Sequence, residues 1–339
     1  MKTSRLFALA LATAALAGPA AAEPFRLIVT DMEAPLVPNS VMDLALQEGY
    51  FERAGVEVEL VRVQQTPMAM AALRSGEGEM ANVAVESLLQ SVAQGADDLR
   101  AVMSPNKSLP FLIAAQNGIG SAGDLAGKRF GIGRIGSLDH TLSLQVLTAA
   151  GVDTGSLQMV ALGQPSARAQ ALLADQIDAT TMSIGTYTAI EAQAAGSVQV
   201  LVDVDAYYRA APVVSKVNAV TAETLASRGP EVEAVIEALT LAARDFAADP
   251  QLWVAAMQKA RPDVAEADLQ KLGAAFAGSW SVNGGLQREE LEFSAGWLYA
   301  SEDFKGVTPA PLEAWTDFGP VEAVLARIGT TDGSDALTR

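Results

Sequence analysis

The stretch SAGDLAGKRFGIGRIGSLDH, residues 121–140, contains a glycine motif, a predicted strand-to-helix transition and the only histidine of the chain. Gly131, Gly133 and Gly136 form a Gly-x-Gly-x-x-Gly pattern between a predicted strand at 128–132 and a predicted helix at about 138–150. Glycines allow a tight turn and let a ligand approach the backbone. Free N–H groups at a helix start attract a carboxylate, sulfonate or phosphate. The stretch therefore predicts either a ligand-facing turn or a plain strand-to-helix turn that Ser137 caps.

A dinucleotide-binding enzyme is the first alternative that the glycine pattern raises. Such a site needs an acidic residue at the end of the next strand to hold the ribose. The next predicted strand, 157–162, ends in Gly163-Gln164-Pro165, and Asp153 lies before that strand. The sequence therefore disfavours a dinucleotide site.

Predicted strands and helices alternate on both sides of this stretch. Strands are expected at 25–30, 56–63 and 80–85, and helices at 41–48 and 66–74. Such alternation is typical of an α/β fold with a parallel sheet. The segment 72–81 also recurs at 171–180, and 84–87 recurs at 183–186, with the same order of helix end, polar turn and strand. We therefore expect two lobes of like topology, with ligand-binding strand ends facing a shared cleft.

The beginning of the sequence has the pattern of a secretory signal peptide. Lys2 and Arg5 precede an apolar run at 6–16, and Ala20-Ala21-Ala22 precede Glu23. The apolar run is too short to cross a bilayer. The sequence has no cysteine, which excludes a disulfide and a cysteine-linked lipid anchor. We expect export to a bacterial periplasm, with cleavage after Ala22.

The net charge is strongly negative. It is −17 for the full sequence, and removal of Lys2 and Arg5 with residues 1–22 would leave −19. This charge disfavours partners such as nucleic acid or an anionic membrane surface. Half of the residues are hydrophobic, and the chain is long enough for two domains of ordinary size.

Several segments resemble one family of binding proteins. Residues Asp124–Gly131 resemble the "DLKGKxxG" segment of the nitrate/sulfonate/taurine-type substrate-binding proteins of ABC transporters. Residues 45–60 resemble the family's "GxFxxxGLxVxL" segment, and 70–76 resemble its "ALxSG" helix end. The similarity runs in order from about residue 25 to 190, and more loosely to 246. These proteins are type II periplasmic binding proteins, and they include thiamine-pyrimidine-precursor binders.

The resemblance implies an α/β fold of two lobes, each a Rossmann-like sheet flanked by helices, joined by two hinge strands. The first lobe would comprise 23–108 and 216–305, and the second 109–215. The tail, 306–339, would pack on the first lobe. The expected crossover segments are 112–115 and 213–216.

The resemblance also implies the function. The protein would be the soluble periplasmic component of an ABC importer, binding a small organic solute between two closing lobes and delivering it to a permease and its ATPase. We expect a monomer without enzymatic activity or cofactor. A periplasmic ligand-sensing adaptor is the alternative, and a pyrimidine-synthase-like or dinucleotide-dependent enzyme is the least favoured.

The expected ligand-binding residues follow strand ends and helix starts. They are Glu33, Asn39, Glu86, Asn106, Lys107, Ser137, His140, Ser183 and Tyr187. In the family the hydroxyl residue after the glycine turn commonly meets the ligand's acidic group, and Ser137 has that position. Asp139 would compete with an anion there, and with Asp31, Glu33 and Glu86 it favours a zwitterion or nitrogen heterocycle over a bare anion. A carboxylate or sulfonate stays open.

His140 and Arg168 each allow two interpretations. One histidine without cysteine cannot form a usual zinc or copper site, so no metal is expected. His140 is either a solvated or capping side chain or a contact of the ligand, and in the latter case affinity should fall as pH rises through about 6.5. Arg168 is expected to be solvated, with a ligand or interlobe role as the alternative. The tryptophans Trp253, Trp280, Trp297 and Trp315 are expected to be core or packing residues, without a stacking role for any of them.

Overall fold

The computed structural model describes residues 23–105, 111–333 and 335. Its strands are β1 (Phe25–Val29), β2 (Val58–Arg62), β3 (Met80–Ala84), β4 (Leu99–Met103), β5 (Phe111–Gln116), β6 (Arg129–Ile132), β7 (Gln158–Ala161), β8 (Ala179–Ser183), β9 (Val198–Val202) and β10 (Lys216–Thr221).

The α-helices connect these strands and then form a long C-terminal part. They are α1 (Val41–Gln47), α2 (Tyr50–Arg53), α3 (Thr66–Arg74), α4 (Val85–Ala93), α5 (Leu138–Ala149), α6 (Pro165–Leu173), α7 (Ile184–Gln193), α8 (Val204–Ala210), α9 (Ala222–Ala248), α10 (Pro250–Ala260), α11 (Glu266–Ala275), α12 (Arg288–Tyr299) and α13 (Gly319–Ile328). Within the described ranges, no helix has the length and apolar character that a membrane span requires.

The strands form two five-stranded sheets with one topology. The orders are β2-β1-β3-β10-β4 in the first lobe and β7-β6-β8-β5-β9 in the second. The repeated sequence segments predict this shared topology of the two lobes. The expectation of parallel sheets is wrong, because β10 is antiparallel to β3 and β4, and β5 is antiparallel to β8 and β9. Each of these strands follows a passage between the lobes, so it enters its sheet in the opposite direction.

Two connections join the lobes. The chain leaves the first sheet after Met103, and β5 is already a strand of the second sheet, so the expected crossover at 112–115 lies inside that strand. The chain returns after α8 through Val213–Ser215 into β10. There the Val85 N–H donates to the Ser215 carbonyl at 3.0 Å, which ties the start of α4 to the return connection.

Apolar packing continues from one lobe into the other. A single buried cluster contains first-lobe residues such as Leu27 and Val83 together with second-lobe residues such as Leu172 and Ile184. Helix α7 of the second lobe contacts α11 of the first. The lobes therefore share apolar contacts in addition to the two connections.

The C-terminal part packs against the first lobe, beside strand β4 of the first sheet. Helix α13 contacts α9 and β4. The Ala101 N–H donates to the Trp315 carbonyl at 2.8 Å, next to a bridge between Ala101 and Thr316. These contacts extend the edge of the first sheet at β4.

Candidate functional site

A cavity of about 220 Å³ lies between the lobes. Its lining comes from the β3–α4 junction, the glycine turn of the second lobe, the return connection and the end of α12. The lining residues are Ala84, Val85, Glu86, Arg134, Gly136, Ser137, Val213, Val214, Ser215, Trp297, Leu298, Ser301 and Asp303. Segments far apart in sequence therefore build one site.

Glu86 is one of the two carboxylates on the first-lobe side of this cavity. It lies in the first turn of α4, and its carboxylate accepts a hydrogen bond from Gln90 at 3.3 Å. Burial raises the pKa of Glu86, and the nearby charge of Asp303 raises it further, while Arg134 acts in the opposite direction. The cavity thus contains two carboxylates and one guanidinium group.

Trp297 and Arg134 are lining residues that the sequence did not identify. Trp297 on α12 packs against the apolar clusters of both lobes, in agreement with an expected packing role, and it also lines the cavity. Those three, Trp253, Trp280 and Trp315, are buried. Arg134 lies inside the glycine motif, which was the one sequence signal that could have identified it. Nothing in the local sequence distinguishes Trp297.

Backbone N–H groups of the glycine turn donate hydrogen bonds to side chains of α5, the helix that follows the turn. The Gly133 N–H donates to Asp139 Oδ2 at 2.7 Å, and the Gly136 N–H donates to His140 Nδ1 at 3.0 Å. Ser137 holds the N-cap position of α5, but its side chain makes no capping hydrogen bond to the helix. The hydroxyl lies 2.7 Å from Asp139 Oδ1 and 2.6 Å from the Arg134 carbonyl instead. The expectation that Ser137 caps the helix is therefore wrong, because the turn uses its hydroxyl.

Arg168 is buried, so the expectation of a solvated side chain is wrong. Its guanidinium donates to the Gly163 carbonyl at 2.7 Å and to Thr180 Oγ1 at 3.2 Å, and it lies 3.6 Å from Asp139 Oδ2. Burial lowers the pKa of Arg168, and Asp139 opposes that change.

The same arginine lines a second cavity of about 310 Å³, within the second lobe. The lining residues lie at the starts of α5, α6 and α7 and the adjoining strand ends. They are Phe111, Gly133, Asp139, Gly163, Pro165, Arg168, Thr181, Met182, Ser183 and Thr186.

The structure separates the expected binding residues into groups. Glu86 and Ser137 line the interlobe cavity, and Ser183 lines the second cavity while it caps α7 through the Thr186 N–H at 3.1 Å. His140 lies in the glycine turn, as described. Asn106 and Lys107 lie outside the described residues.

Three further candidates lie away from both cavity linings. Glu33 is exposed and pairs with Arg261 at 3.3 Å. Asn39 is buried and donates to Asp31 Oδ2 at 3.0 Å. Tyr187 is half-buried on α7 and packs against the shared apolar cluster, and burial raises its pKa. These positions favour packing and local hydrogen bonding over ligand contact.

Solved structures with this fold include periplasmic binding proteins. The putative periplasmic sulfonate-binding protein SsuA of Methylobacillus flagellatus KT has a TM-score of 0.71 at 13% identity, covering 94% of this chain and 98% of that one. The aliphatic sulphonate-binding protein SsuA of Escherichia coli has a TM-score of 0.65 at 17% identity, covering 94% and 96%. The desulfurization enzyme DSZB has a TM-score of 0.65 at 16% identity, covering 90% and 99%. At such identities the likeness shows the fold, which confirms the two-lobed periplasmic binding protein architecture.

Sequence comparison identifies the family. No curated protein sequence matches the chain. The model of the family described as NMT1/THI5 like matches residues 41–252, more than half of the 339 residues. This region includes both sheets except β1, and it includes the glycine turn and Glu86. The chain therefore belongs to the NMT1/THI5-like family.

Proposed function

We propose that the protein is the periplasmic substrate-binding component of an ABC importer. The observation that carries this proposal is the interlobe cavity, which Glu86, Ser137 and Trp297 line from three separate segments. A solute in this cavity contacts both lobes at once. Such contacts are made fully only when the lobes are together, so binding stabilises the closed form that a permease would recognise.

The charges of the cavity indicate the class of solute. Glu86 and Asp303 outnumber Arg134, and burial together with the charge of Asp303 raises the pKa of Glu86, which disfavours its ionised form. A cationic or hydrogen-bond-donating group beside Glu86 would stabilise its ionised carboxylate. The Trp297 ring offers an apolar or cation–π contact. We therefore favour a small zwitterion or nitrogen heterocycle, and a simple carboxylate or sulfonate is the competing outcome.

The proposed action is binding without bond cleavage. The named function of both sulfonate-binding neighbours supports this, whereas DSZB is named an enzyme. Every solute that binds is therefore also incubated with the protein and analysed for products by mass spectrometry. Turnover of a bound solute would overturn the proposal of a non-catalytic protein.

Export belongs to the same proposal. The signal-like segment 1–22 lies outside the described residues, and the proposal rests on its charged, apolar and small-residue order. Expression of the full sequence in a Gram-negative host should give a periplasmic protein whose intact mass corresponds to a chain beginning at Glu23. A protein that keeps residues 1–22 in the cytoplasm would contradict this.

A thermal-shift screen of the purified chain from Glu23 tests the binding function. The solutes are amino acids, polyamines, pyrimidines, aromatic and aliphatic carboxylates, and sulfonates. A true ligand at a hundredfold its Kd should add about 2.7 kcal/mol to the free energy of unfolding. The hit should lose affinity in Trp297→Ala. Gln251→Ala, at an exposed position of α10 outside the cavity lining, is the control. An equal loss of affinity in both variants would mean that the ligand does not bind beside Trp297.

A further inference from the structure

The Asp139 carboxylate is hydrogen-bonded by two residues of the glycine turn and lies beside an arginine of α6. The Gly133 N–H donates to Oδ2 at 2.7 Å, the Ser137 hydroxyl lies 2.7 Å from Oδ1, and the Arg168 guanidinium lies 3.6 Å from Oδ2. The carboxylate also lies in the first turn of α5, a twelve-residue helix. Backbone N–H groups, a helix start and an arginine are the groups that bind a free anion in proteins.

Arg168 adds a buried positive charge beside Asp139 to the interactions at the start of α5. Its side chain is only 5% exposed, and it lies near the start of α6, where the helix dipole disfavours a cation. Its hydrogen bonds to the Gly163 carbonyl and to Thr180 are made to uncharged acceptors. The negative charge beside the buried cation therefore comes from Asp139, and loss of that charge would leave the cation uncompensated.

Space for a replacement anion lies next to these groups. Gly133, Asp139 and Arg168 all line the cavity of about 310 Å³, with Thr181 and Ser183 among its other polar residues. If the Asp139 carboxylate is removed, a small carboxylate or sulfonate can reach the Gly133 N–H and the Arg168 guanidinium from this cavity.

We infer that Asp139 is a specificity-determining residue whose carboxylate serves as a built-in anion and keeps the second-lobe wall of the cleft from binding free anions. The inference deepens the proposed solute-binding function and rests on it for its biological meaning. It also assigns the recognition of the ligand's charged group to the first-lobe carboxylates Glu86 and Asp303, because the anion-binding groups of the second lobe are already occupied.

The test is a gain of binding in a variant. Wild type, Asp139→Ala and Asp139→Asn are titrated with methanesulfonate and with acetate at constant ionic strength, and melting temperature and calorimetric heat are recorded. Asp203→Ala is the matched control, because Asp203 caps α8 through the Ala206 N–H at 2.7 Å without a buried arginine beside it. Asp139→Ala should melt below wild type and bind methanesulfonate at least about tenfold more tightly, as expected when a charged hydrogen-bond acceptor is replaced.

Asp139→Asn keeps the shape of the side chain, removes its charge and leaves one of its two acceptor oxygens. It should show a smaller gain of the same kind, and it keeps the inference testable if the alanine variant does not fold. Saturable binding of methanesulfonate to wild type with equal affinity, or a gain no larger than that of Asp203→Ala, would overturn the inference. The solute screen of wild type is a separate measurement: a wild type that binds none of the solutes contradicts the proposed function, whether or not the variant gains an anion.

Discussion

Two carboxylates at helix starts differ in their surroundings. Asp139 is surrounded by donors, whereas Glu86 accepts a hydrogen bond from Gln90 and shares its cavity with Asp303. Both residues were identified in the sequence by position after a strand, because acidic residues at helix starts follow a simple rule. Their opposite surroundings come from residues far along the chain, Arg168 and Asp303.

The raised pKa of Glu86 predicts a pH dependence of binding. Burial and Asp303 move the pKa above its ordinary value of 4.5. The folded protein then retains this proton in a pH range where the unfolded chain has lost it, so ionisation there reduces stability. A cationic ligand favours the ionised form. Its affinity should therefore rise as pH increases through the range just above 4.5.

Calorimetric titration of the solute found in the screen checks this prediction. Glu86→Gln should weaken binding and flatten the pH profile. Glu223→Gln, an exposed first-turn glutamate on α9, should change neither and is the control. A wild-type profile that is already flat between about pH 4.5 and 7 would show that Glu86 does not interact with the charge of the ligand.

Asp175 predicts a stabilising substitution. It has a φ of 56°, a left-handed conformation, at the position equivalent to Gly76 in the repeat, where φ is 76°. Its contact with Arg129 at 3.4 Å involves an aspartate side chain that is 79% exposed, so the ion pair contributes little. Asp175→Gly should raise the free energy of unfolding by about 0.5–1 kcal/mol.

Urea unfolding measures this effect. Gly76→Ala is the reciprocal variant: the site has no atoms within 4 Å of an added Cβ, so only the backbone conformation opposes it. It should lower the free energy of unfolding by about 1 kcal/mol. Destabilisation by Asp175→Gly would mean that the Arg129 contact outweighs the backbone strain.

At the level of elements, the two lobes fasten equivalent strands, β1 and β6, in the same way. Arg26 at the start of β1 bonds Glu79 through its backbone N–H at 2.6 Å and its guanidinium at 2.6 Å. Arg129 at the start of β6 bonds Asp178 through the same two groups at 2.7 and 2.8 Å. The carboxylate in each case belongs to the turn before the neighbouring parallel strand, β3 in the first lobe and β8 in the second. The repeated segments in the sequence therefore preserve an ion pair as well as an order of elements.

The second of these pairs should stabilise the fold only above acidic pH. Hydrogen bonds from the Arg129 side chain, against some burial, hold the pKa of Asp178 below its ordinary value of 3.8. A depressed carboxyl pKa adds stability above the unfolded value, and that stability is lost as pH falls through the folded value. Asp178→Asn should thus cost about 1–3 kcal/mol at neutral pH.

Denaturant unfolding at about pH 7 and about pH 2.5 measures this difference, which should shrink at the lower pH. Glu302→Gln removes an ion pair whose two side chains are 85% and 76% exposed, and it should have nearly no effect at either pH. An Asp178→Asn penalty that is equal at both pH values would assign the effect to packing.

For the whole molecule, the shared apolar cluster predicts a single unfolding transition. The tryptophans all lie in residues 253–315 and only Trp297 also packs against the second-lobe cluster, so fluorescence reports mainly on the first lobe and far-UV circular dichroism on both. Because the cluster and the α7–α11 contact join the lobes, the two signals should have coincident urea midpoints. A step in circular dichroism that precedes the main fluorescence change would mean that the second lobe unfolds independently.

Local sequence rules predicted much of the element order and missed what depends on distant partners. The glycine turn, α3 and the repeated segments follow from glycine, capping and hydrophobic patterns. The antiparallel direction of β5 and β10 was missed, because strand direction depends on where the chain returns from the other lobe. The prediction that Ser137 caps α5 is wrong, because its hydroxyl oxygen accepts the Arg134 N–H of the turn at 3.2 Å and makes no capping hydrogen bond to the helix.

The sequence by itself determined the α/β class, the duplicated topology, the family resemblance and the location of one cleft wall in residues 121–140. These properties are carried by neighbours in the chain and by periodic patterns. Only the tertiary structure decided that Trp297 and Asp303 complete the cavity and that Arg168 is buried beside Asp139. The reason is physical: burial and the pairing of charges depend on residues brought together through space, and no local pattern specifies which ones meet.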